Sequence, residues 1–181
     1  MEGQLFHSFA ARISAGASFG PDAPDYFLGG TPGWINWSVA DEVNFNEQVS
    51  DVQNLYFSEF KMPLRGASYY QLIGKRFVLS NYEFRFPMIS RLDLGWPLPL
   101  RFPLIMGAIF TDIGLAWGPE KLVLTKSDIQ GNKRLEDGFL GYGIGARIPL
   151  GFFMLKIDMA WANDLYSTSK PIYFFSLGSD F

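Results

Sequence analysis

Leu140-Gly141-Tyr142-Gly143-Ile144-Gly145-Ala146-Arg147-Ile148-Pro149-Leu150 is the stretch whose reading decides the fold. Leu140, Tyr142, Ile144, Ala146, Ile148 and Leu150 alternate with Gly141, Gly143, Gly145 and Arg147, giving one greasy face and one face of small or charged residues. A period of two belongs to a strand, because successive side chains point to opposite faces of the pleat. A dinucleotide-binding glycine loop would instead open a helix, and no helical pattern follows Leu150.

The same period extends in both directions. Towards the N-terminus, Leu5 to Phe19 alternates Phe9, Ala11 and Ile13 with Ala10, Arg12 and Ser14. Lys75 to Phe86 sets Val78, Tyr82, Phe84 and Phe86 against Asn81, Glu83 and Arg85, and Pro87 is expected to stop it. Leu100 to Trp117 reads as one strand, with Ile105, Ile109, Ile113, Leu115 and Trp117 opposite Phe110, Asp112, Gly114 and Ala116. Phe153 to Trp161 opposes Leu155, Ile157 and Met159 to Lys156, Asp158 and Ala160, and Ile172 to Phe181 closes the series.

The result is about six strands of roughly ten residues or more, longer than the five or six typical of soluble sheets. A strand tilted across a bilayer needs about 9–11 residues, apolar towards lipid and polar or small towards the lumen, with aromatics near its ends. Trp117, Tyr142, Trp161, Tyr173 and Phe181 stand at such positions. A soluble barrel with the apolar face inward has the same periodicity, so the alternation alone does not choose between them.

The connections bear on that choice. Leu150 and Gly151 make a tight turn, whereas Gly118 to Gly138 is long and carries Glu120, Lys121, Lys126, Asp128, Lys133, Arg134, Glu136 and Asp137. Short turns at one end and long polar loops at the other are the pattern of transmembrane barrels, and counting from there puts both termini at the short-turn end. Pro87 to Pro99, which contains Trp96, is a long exception at that end. Arg76 and Arg101 fall on apolar faces but close to strand ends, where a long side chain snorkels to the interface.

Composition removes other classes. Of 181 residues, 48% are hydrophobic and 17% aromatic, which no disordered chain would carry, yet no apolar run is long enough for a membrane-spanning helix. A net charge of −3 gives no basic footprint for nucleic acid. With no cysteine and one histidine, a disulfide framework, a thiolate nucleophile and the ordinary zinc constellations are excluded, so no metal and no cofactor are expected. No Gly-x-Ser-x-Gly elbow, His-Glu-x-x-His pair or phosphate-binding loop occurs, and no catalytic residue is assigned. His7 reads as an interfacial residue. Met1 to Phe9 lacks a signal-peptide pattern, and the chain reads as beginning within a domain.

Several motifs in order now resemble a known family. They are Leu64-Arg65-Gly66-Ala67, Asn81-Tyr82-Glu83-Phe84-Arg85-Phe86-Pro87, Phe110-Thr111-Asp112-Ile113-Gly114, the Gly141 to Gly151 stretch and a terminal aromatic. Together they resemble the C-terminal barrel of the bacterial surface antigen family, which includes the BamA- and TamA-type outer-membrane assembly factors and the two-partner secretion translocators. The resemblance covers nearly all of 60–181 and, more loosely, Tyr26 to Gly30. It implies an all-β antiparallel transmembrane barrel, of which residues 1–181 are the C-terminal part: about six strands of a 16-stranded barrel.

The resemblance also implies roles. The loop arginine folds into the lumen and docks on the Phe-x-Asp-x-Gly strand, a role that falls on Arg65, Gly66, Phe110, Asp112 and Gly114, with Glu83 as a further lumen partner. Elementary chemistry fits this, because a guanidinium pairs bidentately with a carboxylate and stacks on a ring while glycines leave room for the loop. Tyr173, Phe175, Gly178 and Phe181 resemble the terminal strand signal read by the barrel assembly machinery, and edge pairing is one way to read such a strand. Residues 31–63 depart from the family pattern. They are expected to be an extracellular insertion containing Trp34, Trp37, Asn46 and a short helix near Asp51 to Tyr56.

The function implied is insertion or export of polypeptides at the bacterial outer membrane without covalent catalysis, through a weak strand seam and a thinned bilayer. The implied partners are the lipid bilayer, unfolded outer-membrane or secreted polypeptides, and the assembly machinery for the barrel's own insertion. Two alternatives stay open: a barrel that anchors, or serves as exit pore for, a different N-terminal module such as a propeller or lipase-like domain, and a soluble carrier of apolar ligands. Six strands alone would leave two unsatisfied edges in lipid, so the chain reads as part of a longer protein.

Overall fold

The computed structural model describes residues 7–20, 22–32, 59–61, 63–68, 70–95, 99–102, 104–150 and 153–178. It is all-β. Six long strands, β1 (Ser8–Ala17), β5 (Arg76–Ile89), β8 (Ile105–Trp117), β11 (Gly138–Leu150), β12 (Phe153–Asn163) and β13 (Ile172–Gly178), form one sheet in the order β1-β5-β8-β11-β12-β13. Every neighbouring pair is antiparallel, and each long strand pairs with the next long strand in the chain. The sheet is therefore an up-and-down meander, the connectivity of a barrel wall.

The alternation predicts which side chains share a face, and burial then says where each face points. On β8, Phe110 and Asp112 are buried while Ile109 is 53% exposed, and on β11 Ile144 is 50% exposed. Phe9, Ile13, Phe84, Tyr142, Phe153, Tyr173 and Leu177 are exposed on the same outer side. The inner side buries Asn81, Glu83, Asp112, Arg147, Asp158 and Ser176. This is the reverse of a soluble carrier, whose apolar side chains would turn inward. So large an apolar surface fits hydrocarbon and not water.

Outer-face residues pair across strands. Tyr142 and Trp161 are in register and stack at 5.9 Å between centroids, and Phe9 lies 6.4 Å from Tyr82. Such cross-strand pairs hold register where one face meets solvent of uniform character.

The inner face is not polar throughout. Between β1 and β5 the chain makes a long excursion containing β2 (Tyr26–Leu28), β3 (Glu59–Lys61) and β4 (Leu72–Gly74), with β2 paired parallel to β3 and antiparallel to β4. Leu28, Leu64 and Ala67 from this excursion pack on Phe77, Leu79, Ala116 and Phe139 of the wall and form the main apolar core. The excursion thus covers the inner wall at the long-loop end.

Two sequence expectations are corrected by the structure. Pro87 does not stop its strand: β5 runs to Ile89, and a register shift between Pro87 and Ile89 accommodates the residue that cannot donate a ladder hydrogen bond. Leu100 to Trp117 holds two strands, β7 (Leu100–Phe102) and β8 (Ile105–Trp117), and β7 pairs with β6 (Leu92–Leu94) as a short ribbon. The polar connection 118–137 holds a hairpin of its own, β9 (Thr125–Ser127) with β10 (Lys133–Leu135). Most of 31–63, including Trp34, Trp37, Asn46 and the expected helix, lies outside the described residues, as do Trp96 and Phe181.

Candidate functional site

The site begins with a turn that is anchored at its start. Leu64 donates its N–H to the Gly30 carbonyl at 2.8 Å, fixing the start of the turn to the end of β2. Gly66 follows with φ +88°, a conformation that suits glycine, and a side chain there would press on the Trp161 carbonyl. Arg65 is thereby aimed at the inner wall.

Its guanidinium is held by two carboxylates. Nε and Nη2 donate to Asp112 Oδ2 and Oδ1 at 2.7 and 2.9 Å, the bidentate fork, and Nη1 donates to Glu83 Oε2 at 2.6 Å. The Arg65 backbone N–H also donates to Asp112 Oδ2 at 2.9 Å, and Asn81 Nδ2 donates to Oδ1 at 2.8 Å. The guanidinium carbon lies 3.5 Å from the centroid of the Phe110 ring. Arg65, Glu83, Phe110 and Asp112 are brought together. Gly66 shapes the turn, and Gly114 lies against Leu64.

The alternation places Arg147 on the face of small or charged residues, and the structure puts it at the centre of the cluster. It donates from Nε and Nη2 to Glu83 at 3.1 and 2.7 Å, and from Nη1 to Asp158 at 2.6 Å. Arg85 Nε adds a fourth bond to Glu83 at 2.8 Å, and Arg12 reaches Asn81 Oδ1 from β1. The cluster therefore links β1, β5, β8, β11 and β12 to the loop turn. A signal for Arg147 was present: counting back from the tight turn pairs Gly145 with Asp158, which sets Asp158 diagonal to Arg147 on one face.

The glycines of β11 are needed for the same contact. A Cβ on Gly141 would collide with the Arg65 carbonyl oxygen, and one on Gly145 with the Asp158 carboxylate. Beneath the turn, Arg12, Arg85, Arg147, Lys156 and Ser176 border a cavity of about 240 Å³.

Charge outside the wall follows a different rule. Asp164, in the β12–β13 turn, is held below the ordinary aspartate pKa by the backbone N–H groups of Ser167 and Tyr166. Asp128, in the β9–β10 turn, is lowered by N–H groups of Asn132 and Gln130. These carboxylates close turns. The buried ones instead join the loop to the wall.

Of the terminal strand residues, Tyr173 and Phe175 point outward on β13 and Gly178 ends it. Among the described residues β13 pairs only with β12. The cluster offers charge pairing and no group set for metal binding among the described residues.

The family model of the Omp85 superfamily domain matches residues 4–181. No curated protein and no solved structure matches the chain.

Proposed function

The chain belongs to the Omp85 superfamily, a family of outer-membrane protein assembly and translocation, and from that premise we propose that it is the C-terminal, loop-bearing part of a barrel that inserts or exports polypeptides without covalent catalysis. The supporting observation is one arginine on a loop held by carboxylates of two different strands. Such a contact does no bond chemistry. It fastens the long loop inside the wall and makes five neighbouring strands one stiff unit.

Stiffness in one sector confines movement to another. Client strands would enter where the wall is least cross-linked, and β13 (Ile172–Gly178) has no charged side chain with which to join the cluster. Tyr173, Phe175, Gly178 and Phe181 serve as the terminal signal by which the barrel is itself assembled. The partners are the bilayer, unfolded outer-membrane or secreted polypeptides, and the assembly machinery.

Arg65→Ala tests this reading in cells. With the variant present in the membrane at the normal level, the yield of folded client protein should fall, and the barrel should lose its heat-resistant gel migration at a lower temperature. Normal client yield together with unchanged heat resistance would reject the docked loop as part of the working barrel.

A further inference from the structure

At the short-turn end, the ribbon β6–β7 stands outside both the six-stranded sheet and the charge cluster. We propose that this ribbon is a second membrane contact, lying in the headgroup layer of the phospholipid leaflet at that end, with its apolar side towards the acyl chains and its arginines on lipid phosphates. The inference rests on the barrel reading above and adds a surface that the reading does not use.

Three observations carry it. First, the apolar outer face does not end with the sheet. Past Phe84, Met88 is 49% exposed and Ile89 is exposed as well, and the row continues to Leu94, 42% exposed in the ribbon. The register shift between Pro87 and Ile89 is the kind of irregularity that re-aims a strand end, and it falls where the wall gives way to the ribbon. These exposed apolar side chains follow the lipid-facing row of β5 along the chain.

Second, the ribbon is amphipathic. Its register sets Leu92 opposite Phe102 and Asp93 opposite Arg101, so apolar and charged pairs alternate. Third, its charge suits phosphate. Arg91 and Arg101 share the single carboxylate of Asp93, at 2.7 and 3.7 Å, and the Arg101 side chain is 80% exposed. One surplus cation beside apolar side chains suits the headgroup layer, where an arginine keeps its stem on apolar surface and its head on lipid phosphate. Strands of three residues are far too short to span, so the ribbon lies along the surface.

Because the chain has no cysteine, a single Leu94→Cys change takes one environment-sensitive fluorophore. The full-length protein that carries this chain, labelled at that position and with any cysteine outside residues 1–181 replaced by serine, is folded into vesicles of phosphatidylethanolamine and phosphatidylglycerol carrying a nitroxide either on the headgroup or deep in the acyl chain. Labels at Ile144, on the lipid face, and at Ile129, fully exposed in the β9–β10 turn, are the references. The Leu94 label should emit further to the blue than the Ile129 label and lose most of its emission to the headgroup nitroxide, whereas the Ile144 label should lose it to the deep one.

If the Leu94 label keeps its emission in both vesicles while Ile144 is quenched, the inference is overturned. Iodide then tells whether the ribbon stands in water or against protein. If Ile144 also escapes quenching, the barrel reading falls and the inference with it. Met88→Cys gives a second reporting position should the change at Leu94 disturb the ribbon.

Discussion

Asp112 has about four lone-pair directions, and four donors occupy them: the Arg65 N–H, its Nε and Nη2, and Asn81 Nδ2. Glu83 is saturated in the same way by Arg65, Arg85 and Arg147. Removing one partner from a buried pair leaves an uncompensated charge and costs about 3–5 kcal/mol. Arg65→Ala should show that full loss, and Arg65→Lys, which keeps the charge, should still lose a large part of it, because an ammonium cannot bridge Asp112 bidentately, reach Glu83 and stack on Phe110 at once. Denaturant unfolding of Arg65→Lys and Arg65→Ala in vesicles checks this, and a lysine variant close to the native midpoint would refute it. Gly141 gives an uncharged test of the same contact. Gly141→Ala drives a methyl into the Arg65 carbonyl and should cost about 1–3 kcal/mol as an overpacking change, with every charge retained. Since both substitutions break one contact, the double variant should lose less than their sum.

Strands were legible because their signal is local. A period of two in Leu140 to Leu150 needs no knowledge of neighbours, and the six long strands follow from it with ends shifted by a few residues. What depends on pairing was less visible. Pro87 looked like a stop because a bulge is a property of two strands, and Arg147 looked like a lone charge because Asp158 reaches it only through the β11–β12 register. Arg65, Phe110 and Asp112 were found through a family pattern, since 47 residues of chain separate Arg65 from Asp112 and no spacing rule joins them. The turns have their own chemistry, and it is dependent on pH. Asp164 is ionised more readily in the folded turn than in a free chain, so its contribution is complete above the ordinary value of 3.8 and is lost as pH falls through the lowered folded value. Amide exchange at Ser167 and Tyr166 should therefore speed up on acidification below that value beyond the intrinsic trend. Asp164→Asn should abolish the extra response, and a response that survives in the variant would place the titration elsewhere.

At the scale of the molecule, the arrangement is inverted relative to a soluble β-protein: charge is inside and apolar surface is outside. The inversion is tolerated because the buried carboxylates Glu83, Asp112 and Asp158 are each bonded to Arg65 or Arg147, since a buried charge left without a partner would cost several kcal/mol. It also requires the apolar face to meet lipid, which a single substitution can test. Ile144 is half exposed midway along the outer face of β11, between the turn at Leu150 and the loop at Gly138. In a soluble sheet, replacing an exposed isoleucine by lysine changes stability by no more than about 0.5 kcal/mol. On the lipid face of a barrel, a lysine near the bilayer midplane costs about 2–4 kcal/mol. Ile144→Lys should therefore lower the denaturant midpoint in vesicles by the larger amount, while Ile129→Lys, fully exposed in the β9–β10 turn, should leave it unchanged. Equal, small effects at both positions would mean that the outer face meets water, and then neither the outward isoleucines nor the inward arginines would have a physical reason for their places.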